Sequence, residues 1–439
     1  MHVPTRRSFL TTLMSAPFAF AQPPASQTDV AIVGAGSAGL NAARKLQELG
    51  FTTVIVEARN RIGGRAWTET DTFGFPFDRG CAWLHAADDN PYTPLAREWG
   101  YTLHKHDNTL DLLYLGDREA TAAERDSTGA LELRLDEQTY KRGRSGKDIA
   151  AERLARRRGL LDDAVATYQG PMSKAVDLDE MSTVDFVTMG TDVEPNLLIK
   201  EGYGSLVARY GQGLPVSLNT PVQRIRYSGP GVVLETPSGA INARACIVTA
   251  STGVLAAEKI AFDPLLPDWK RDAIDDVPMA LFAKIPLQFS QAKFKRNEFD
   301  DLLRETRGNR DIYFLAWPFG LNLVVGFVGG DFAWELSAAG EEEAIDFGRG
   351  ALRKMLGSDV DKYFVKGALT KWASDPWALG AYSAARPGRA ASRANLRRPV
   401  ADRIFFAGEA CASRLTQTCS GAAWSGRETA EQVAKILRR

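Results

Sequence analysis

The sequence predicts an α/β protein whose main sheet is assembled from three separated segments, with an α+β domain interleaved between them. Three observations support this fold class. Short apolar runs typical of buried strands occur at residues 30–33, 245–250 and 403–407, far apart in the 439-residue chain. A glycine-rich turn follows the first run and leads into an amphipathic helix, as in a βαβ unit. Alternating and β-branched runs at 282–289 and 312–328 indicate an antiparallel sheet in a second domain.

The first βαβ unit has the order expected of a dinucleotide-binding site. The run at 30–33 is too short for a helix and is bounded by glycine. The next glycines permit a tight turn, let the backbone approach a pyrophosphate and let the helix pack close to the strand, in the order Gly34, Gly36 and Gly39. A second strand at 53–56 ends at Glu57, where a carboxylate takes the hydroxyls of an adenosine ribose. We therefore predict a Rossmann-like domain with Ser37 and Ala38 also at the nucleotide.

The residues around Glu57 distinguish between nucleotides. Glu57 itself favours a ribose without a phosphate. Arginines and a glycine pair follow directly, and we expect nucleotide contacts from Ala58, Arg59, Gly64 and Arg65. The run E-A-R-x-R-x-G-G-R resembles the second dinucleotide signature of flavin-dependent amine oxidases and their relatives, which NAD dehydrogenases do not usually carry. This resemblance implies that the cofactor is FAD.

The N-terminus has the pattern of an export signal. Residues 5–10 contain two consecutive arginines, an apolar stretch continues to Phe20, and residues 19–21 offer a small-x-small cleavage site. We predict a twin-arginine signal peptide at 1–21, recognised by the Tat export machinery, and a periplasmic mature protein. A disordered tail with a chance arginine pair is the alternative. The apolar stretch is too short for a stable membrane anchor, and no later stretch predicts a transmembrane helix.

Composition restricts the classes of partner. Lys+Arg and Asp+Glu each total 54, so the net charge is zero. This balance gives no indication of nucleic-acid binding. The four cysteines form no CxxC pair and have no histidine cluster, so we predict no metal site. We expect buried free thiols, with a disulfide between Cys411 and Cys419 as the alternative.

The remaining elements follow in chain order. The charged stretch from about 110 to 175 predicts a solvated helical face rather than a binding patch. A group of acidic residues is interpreted as solvated surface that could also attract a cationic substrate, namely Asp177, Asp179, Glu180 and Asp185. Further strands and helices are predicted at 216–225, 232–236, 241–250, 341–356 and 421–437.

These elements predict two interleaved domains. The FAD-binding domain is expected at 28–95, 200–258 and 368–439, and the substrate domain at 96–199 and 259–367. Because each domain is threaded through the other, we expect them to be physically inseparable.

Flavin chemistry on amines needs few protein groups, because the flavin itself accepts the electrons. Lys284 stands in an apolar strand, where an unpaired ammonium is costly, and from position alone an edge-strand lysine reaching water is the favoured interpretation. Trp372, Trp377 and Tyr382 surround a proline turn and could either wall a flat ring or belong to the core. The last helix begins near Thr418, and its N-terminus offers N–H donors to an anionic flavin or a phosphate.

From residue 29 onward the chain resembles the flavin monoamine oxidase superfamily, and it is closest in motif to polyamine oxidases and flavin-dependent histone lysine demethylases. The family's W-x-x-D-P-W-A-x-G-x-Y-S motif begins at Trp372, and its F-F-A-G-E motif ends at Glu409. The family's strand lysine, which holds a water near flavin N5, falls on Lys284, so the resemblance favours the functional interpretation of that residue. The resemblance also implies flavin contacts at Gly80, Cys81, Ala82, Trp83, Val222, Thr249, Trp377, Gly408, Thr418 and Cys419.

Departures from the family pattern are informative. Monoamine oxidases have a flavin-bonded cysteine immediately before the first tyrosine of their aromatic cage. Ala381 occupies that place, so the FAD is expected to be non-covalent. The first cage tyrosine falls on Tyr382 and the second on Thr418, as in the demethylases, which leaves more room on the substrate side. His85 either lines the substrate cavity or makes a structural hydrogen bond.

The sequence therefore predicts an exported FAD-dependent amine oxidase. A neutral primary or secondary amine, with polyamines among the candidates, would give a hydride to flavin N5, and the imine would hydrolyse to an aldehyde. Dioxygen, yielding H2O2, or a periplasmic electron carrier would accept the electrons. The catalytic candidates are Lys284, Tyr382 and Thr418. The alternatives are an L-amino-acid oxidase or monooxygenase-type relative, which needs an arginine facing the flavin, and a flavin-binding scaffold without turnover.

Overall fold

The protein is described by a computed structural model covering residues 27–107, 112–191, 193–305, 308 and 310–439. The predicted signal peptide at 1–21 lies outside the described residues, so the export prediction stays a prediction. Within the described ranges, no helix is both long and apolar enough to cross a membrane.

A central sheet organises the N-terminal and C-terminal parts of the chain. In the described residues it has eight strands, in the spatial order Val216–Ser217, Thr53–Val56, Gln27–Val33, Gly239–Val248, Val232–Thr236, Arg224–Arg226 and Ala261–Asp263, with Ile404–Phe406 paired to Gly239–Val248. The strands come from three separated parts of the chain. This confirms the predicted α/β class and the assembly of the Rossmann-like domain from three segments.

One long strand joins the parts of this sheet. The C-terminal half of Gly239–Val248 pairs in parallel with both Gln27–Val33 and Ile404–Phe406. Its N-terminal half turns back in an antiparallel hairpin with Val232–Thr236, as the sequence predicted. Ala261–Asp263 also joins the sheet, beyond the predicted limit at residue 258. The domain limits themselves stay predictions.

Helices cover both faces of the central sheet, which is why its parallel strands Thr53–Val56 and Ile404–Phe406 are almost continuously apolar. Helices Ser37–Glu48 and Cys419–Leu437 pack together on one face, where their small residues Ala43 and Ala430 are buried in a common core. Helices Asp268–Asp276 and Ser392–Arg397 lie on the other face.

The second sheet is mainly antiparallel. Its described strands lie in the order Phe364–Gly367, Phe282–Phe289, Leu323–Gly329, Ile312–Ala316, Asp301–Glu305, Leu112–Leu115 and Arg118–Glu119. Only the pair formed by Asp301–Glu305 and Leu112–Leu115 is parallel among these described pairings. The antiparallel sheet predicted at 282–289 and 312–328 is thus present.

Short strand pairs and further helices complete the described fold. The short pairings are Thr68–Glu69 with Phe77–Asp78, Leu197–Ile199 with both Trp83–Leu84 and Leu103–Lys105, and Met279–Ala280 with Tyr382–Ser383. The remaining described α-helices are Tyr92–Glu98, Ala122–Arg144, Leu160–Thr167, Thr183–Phe186, Tyr203–Tyr210, Thr252–Ala256, Gly330–Ala339, Glu341–Leu356 and Asp359–Tyr363, and a π-helical turn at Tyr168–Met172 follows Leu160–Thr167.

The second sheet presents one face to the central domain. Residues directly opposite each other in a sheet project to the same face. Lys284 lies opposite Phe327, and Phe327 lies opposite Tyr313, so these three side chains form a row across three strands. The other face is covered by Gly330–Ala339 and Glu341–Leu356. The row is therefore available to line a space between the two sheets.

The acidic residues between 177 and 185 are not one solvated patch. Asp179 and Glu180 are exposed, but Asp177 and Asp185 are buried. Asp177 accepts a hydrogen bond from the backbone N–H of Asp331, and Asp185 pairs with an arginine. The interpretation of all four as solvated surface was wrong, because tertiary partners withdraw two of them from water.

Candidate active site

A cavity of about 270 Å³ lies between the two sheets. It brings together the predicted nucleotide and catalytic residues from widely separated parts of the chain. The predicted residues that line it are Gly34, Gly36, Ser37, Ala38, Glu57, Ala58, Arg59, Gly64, Arg65, Gly80, Cys81, Ala82, Trp83, Val222, Thr249, Lys284, Trp372, Trp377, Tyr382, Gly408, Glu409, Thr418 and Cys419. Gly39 is the one predicted residue that does not line it.

The glycine turn has the close approaches that its sequence predicts. Gly34 adopts φ +102°, which favours glycine, and an added Cβ would lie 2.4 Å from Thr249 Oγ1. A Cβ on Gly39 would lie 2.0 Å from the carbonyl oxygen of Gly34, so Gly39 acts by letting the helix pack against the turn. Gly36 precedes the first residue of the helix Ser37–Glu48. Gly36, Ser37 and Ala38 line the cavity, so the N-terminus of that helix lies where its N–H groups would stabilise a pyrophosphate.

Glu57 is held rigidly at the end of the second strand. Its Oε2 accepts a hydrogen bond of 2.7 Å from the N–H of Ala35, and its Oε1 accepts one of 2.9 Å from the N–H of Arg59. The bond to Ala35 joins Glu57 to the glycine turn, so the carboxylate and the turn have a fixed relative position. The carboxylate lines the cavity beside Val222, as expected for a group that binds adenosine.

The arginines after Glu57 are held by protein groups. Arg59 Nη2 lies 2.6 Å from Asp375 Oδ1, and Arg65 Nη1 donates both to the carbonyl oxygen of Ala381 and to Glu409 Oε1. Arg61 is stacked on Trp67 and does not line the cavity. Burial lowers its pKa to about 10. Arg59 and Arg65 therefore connect the segment after Glu57 to the C-terminal motifs.

The C-terminal motifs hold Tyr382 from both sides. Ser383 donates its N–H and its Oγ–H to the two oxygens of Glu409, at 3.1 and 2.7 Å. Arg393 donates to the carbonyl oxygen and Oγ of Ser383 and forms a bidentate pair with Asp185. The backbone on each side of Tyr382 is therefore fixed by a continuous buried polar network.

Lys284 is buried at the point where the row of the second sheet meets the cavity. Its Nζ donates a hydrogen bond of 2.7 Å to the backbone oxygen of Asp78, and aromatic rings of Phe77 and Phe327 lie within 6 Å of it. Burial lowers the pKa of Lys284 to about 8, while the Asp78 carboxylate opposes that shift. Burial likewise raises the pKa of Asp78, whose carboxylate accepts from the N–H groups of Tyr203 and Gly204.

Thr418 begins the last helix. Its Oγ1 accepts a hydrogen bond of 2.9 Å from the N–H of Gly421 and donates one of 2.7 Å to the carbonyl oxygen of Leu415. The hydroxyl thus caps the helix Cys419–Leu437, although the residue also lines the cavity with Tyr382. The catalytic roles predicted for Lys284, Tyr382 and Thr418 stay predictions.

The cavity has a second, aromatic part that sequence reasoning missed. Its additional residues are Tyr168, Met172, Ser173, Thr191, Phe282, Tyr313, Phe327 and Gln417. Four of these come from the stretch 168–191, where the sequence showed no motif. His85 lines the cavity, and its Nδ1 is also 2.9 Å from Asn196 Oδ1, so both interpretations of this residue apply.

The described cysteines are all free thiols. Cys81 hydrogen-bonds to Cys419, so Cys419 lies beside Cys81 rather than beside Cys411. Burial raises the pKa of Cys411 to about 11. No group of three or more His, Cys, Asp or Glu side chains within the described ranges is arranged to hold a metal ion.

The residues fit FAD. A helix N-terminus for the pyrophosphate and a carboxylate for the ribose lie at one end of the cavity, and a buried lysine and an aromatic wall lie at the other. This arrangement defines a dinucleotide-binding oxidoreductase with a substrate space beside the bound nucleotide. Residues 37–434 match the sequence profile described as flavin-containing amine oxidoreductase. The chain belongs to this family, and the prediction of a flavin-dependent enzyme that oxidises amines is confirmed.

Individual relatives agree with this assignment. Polyamine oxidase 4 of Oryza sativa subsp. japonica is 30% identical over 443 residues, which cover 94% of this chain and 90% of the relative. Polyamine oxidase 2 of Arabidopsis thaliana is 28% identical over 440 residues, with 93% and 89% covered. A solved structure of putrescine oxidase bound to putrescine has a TM-score of 0.78 at 20% identity, covering 95% of this chain and 100% of that chain.

Proposed function

We propose that the protein is an exported amine oxidase with non-covalent FAD that converts a primary or secondary amine to an imine. Bound FAD would supply the acceptor for a hydride from the carbon next to the amine nitrogen and pass the electrons to dioxygen, giving H2O2, or to a periplasmic carrier. The imine would then hydrolyse to an aldehyde. Polyamines and putrescine are candidate substrates, because similar proteins carry those names.

The observation that carries this proposal is the position of Lys284. Burying a lysine ammonium among aromatic rings costs stability, and a residue kept in a cavity at such a cost is a candidate for a functional role. Lys284 projects from the sheet into the same cavity that Tyr382 and the glycine turn line. This position supports a role in which Lys284 would hold a water molecule against the flavin ring and Tyr382 would shape the space for the amine.

Non-covalent binding is supported by the side chain that precedes Tyr382. Ala381 lines the cavity at the place where monoamine oxidases have their flavin-bonded cysteine. The methyl side chain of Ala381 has no nucleophilic atom that could form a covalent bond to the flavin. The backbone oxygen of Ala381 instead accepts a hydrogen bond of 2.7 Å from Arg65.

An amino-acid oxidase is less well supported. It needs an arginine that can pair with the carboxylate of the substrate. The arginines among the described lining residues are Arg59, Arg65 and Arg79, and each of them already pairs with a protein carboxylate. The scaffold alternative is disfavoured because Lys284 and Tyr382 are both in place.

Anaerobic reduction of the bound flavin tests the function. Purified holoenzyme should lose its yellow absorbance on mixing with an amine that it oxidises, and admitting air should restore the colour and produce H2O2. A panel of putrescine, spermidine, benzylamine and L-amino acids distinguishes the candidates. Bleaching by amino acids alone would favour the amino-acid oxidase, and a flavin that no amine reduces would contradict the proposal.

Export is proposed from the twin-arginine pattern at 5–10 alone. Tat-dependent export delivers folded proteins, which suits a protein that binds its cofactor before transport. Cell fractionation of the full chain tests this part: substitution of both Arg6 and Arg7 by lysine should retain the protein in the cytoplasm. A periplasmic location unaffected by that change would exclude the twin-arginine route.

A further inference from the structure

Behind the aromatic part of the cavity lies a buried histidine–aspartate pair that the proposed function does not use. His106 is 6% exposed and Asp301 is 4% exposed. Their side chains are 3.3 Å apart, measured from His106 Nε2 to Asp301 Oδ2. His106 follows the strand Leu103–Lys105, whereas Asp301 begins a strand of the second sheet, so the pair joins two distant parts of the chain.

The hydrogen bonds around His106 define its protonation state. Trp83 Nε1 lies 3.2 Å from His106 Nδ1. An indole N–H is only a donor, so Nδ1 must be the acceptor and carries no proton. His106 is therefore the neutral tautomer with its proton on Nε2, and that proton is directed to Asp301.

Asp301 accepts a second hydrogen bond on its other oxygen. The phenol of Tyr313 donates to Asp301 Oδ1. Two donors from different elements thus converge on one carboxylate. The result is a buried chain of four side chains whose two ends, Trp83 and Tyr313, both line the cavity.

The two ends of this chain flank one aromatic surface. The ring of Phe327 lies 5.7 Å from that of Trp83 and 5.5 Å from that of Tyr313, measured between centroids. Tyr313 is two strands away from Lys284 in the same row, which corresponds to about 10 Å in a sheet. The four hydrogen-bonded side chains therefore contact the part of the cavity wall that lies away from Lys284. The remainder of a substrate would lie there.

We propose that His106 and Asp301 are positioning residues that set the orientation and polarity of Trp83 and Tyr313 in the substrate cavity. The inference rests on the proposed function and goes beyond it. Because the phenol proton of Tyr313 is directed to Asp301, the phenol oxygen bears additional electron density. The wall then favours a polar or cationic group on the far part of the amine over an apolar group of the same size.

Asp301→Asn tests the role of the two converging donors. A carboxamide of the same shape has one acceptor oxygen, so it cannot receive both the His106 N–H and the Tyr313 O–H. Either the His106 N–H faces the amide NH2 group, or the amide donates to the Tyr313 oxygen and the phenol proton turns away from residue 301, so the polarity of the wall changes. Asp311→Asn is the matched control, because Asp311 is also buried beside the second sheet and pairs with Arg304, but it does not line the cavity.

The kinetic readout compares two probes of equal length in the holoenzyme, 1,4-diaminobutane and pentylamine. We expect Asp301→Asn to raise the KM for the diamine about tenfold relative to pentylamine, with little change in kcat, as for loss of one charge-assisted hydrogen bond. Tyr313→Phe should have the same effect, and combining the two changes should add nothing further. Equal KM changes for both probes, or an additive double variant, would overturn the proposal.

The positioning can also be observed without turnover. Fluorine NMR of holoenzyme containing 5-fluorotryptophan identifies the Trp83 resonance by its loss in Trp83→Phe. His106→Leu and Asp301→Asn should both shift or broaden that resonance, and Asp311→Asn should not. An unchanged Trp83 resonance would overturn the proposal even if no amine reduced the flavin, whereas a flavin that amines fail to reduce contradicts the proposed function alone.

Discussion

At the scale of single residues, Lys284 combines an unfavourable environment with a useful position. An ammonium in an apolar strand needs partners, and Lys284 has the backbone oxygen of Asp78 and the more distant Asp78 carboxylate. These partners do not fully offset the cost of burial, because its pKa still falls to about 8. Burial in a cavity together with a lowered pKa is the combination expected of a functional residue.

Replacing Lys284 with methionine should slow flavin reduction or reoxidation by about an order of magnitude or more, because the water at the flavin loses its anchor. Rapid-mixing absorbance measurements follow each half-reaction separately. Lys270→Met is the control, since Lys270 is another buried lysine but lies outside the cavity, where it donates to three backbone oxygens. Unchanged rates for both half-reactions in the Lys284 variant would remove its assigned role.

The same pKa predicts how stability depends on pH. Below pH 8 the folded and unfolded chains both carry the proton on Lys284, and the cost of burying the charge is fully present. Between about 8 and 10.5 the unfolded chain binds more protons, so the contribution of Lys284 to the free energy of unfolding becomes more favourable as pH rises, by about 3 kcal/mol in total. Denaturant unfolding of wild type and Lys284→Met at pH 7 and pH 10 should show this difference, and a gap independent of pH would contradict it.

At the scale of elements, the glycine turn and the helix after it are the part of the fold that sequence determines most directly. The contact of Gly39 with the carbonyl oxygen of Gly34 is local and permits only hydrogen in place of a side chain. Gly34, in contrast, makes its close contact with the distant Thr249, and Gly36 has only ordinary contacts. Strand Thr53–Val56 and its terminal Glu57 could be predicted because the apolar run and the acid that ends it are adjacent in the sequence. Local sequence therefore specified the nucleotide end of the site almost completely.

Gly39→Ala tests this argument. The added methyl group would lie 2.0 Å from the carbonyl oxygen of Gly34, so the helix Ser37–Glu48 must move away from the turn and both stability and flavin retention should fall. Gly129→Ala is the matched control, because Gly129 lies in the helix Ala122–Arg144 with nothing near its Cβ position. That change should stabilise the protein by roughly 0.5–1 kcal/mol. Thermal unfolding and the bound flavin-to-protein ratio measure both effects, and a neutral Gly39→Ala would contradict the packing argument.

The substrate end of the site depended on contacts that local sequence does not encode. Leu112–Leu115 pairs with Asp301–Glu305 across nearly 200 residues, within a stretch that sequence predicted to be polar. Tyr313 reaches the cavity because of its register opposite Phe327, and His106 and Asp301 are nearly 200 residues apart in the sequence. Alternation identified the strands, but it could not identify which neighbours each strand would have.

At the scale of the whole molecule, the two domains are joined by buried charges as well as by the chain. Asp185, in the helix Thr183–Phe186, forms a bidentate pair with Arg393 in the helix Ser392–Arg397. The two residues are 1% and 4% exposed. Arg393 also contacts Ser383, which binds Glu409 and so connects to the flavin-binding motif. Disturbing this pair should affect both domains together.

Arg393→Met should therefore lower the free energy of unfolding by about 3–5 kcal/mol, because it leaves the Asp185 carboxylate buried without its partner. The double variant Arg393→Met with Asp185→Leu should recover part of this loss, since no uncompensated charge remains. Thermal denaturation followed by circular dichroism and by release of flavin fluorescence should give coincident transitions in wild type and in both variants, shifted together. Because each domain is threaded through the other, a variant that released its flavin well before its second sheet unfolded would show that the domains are separable after all.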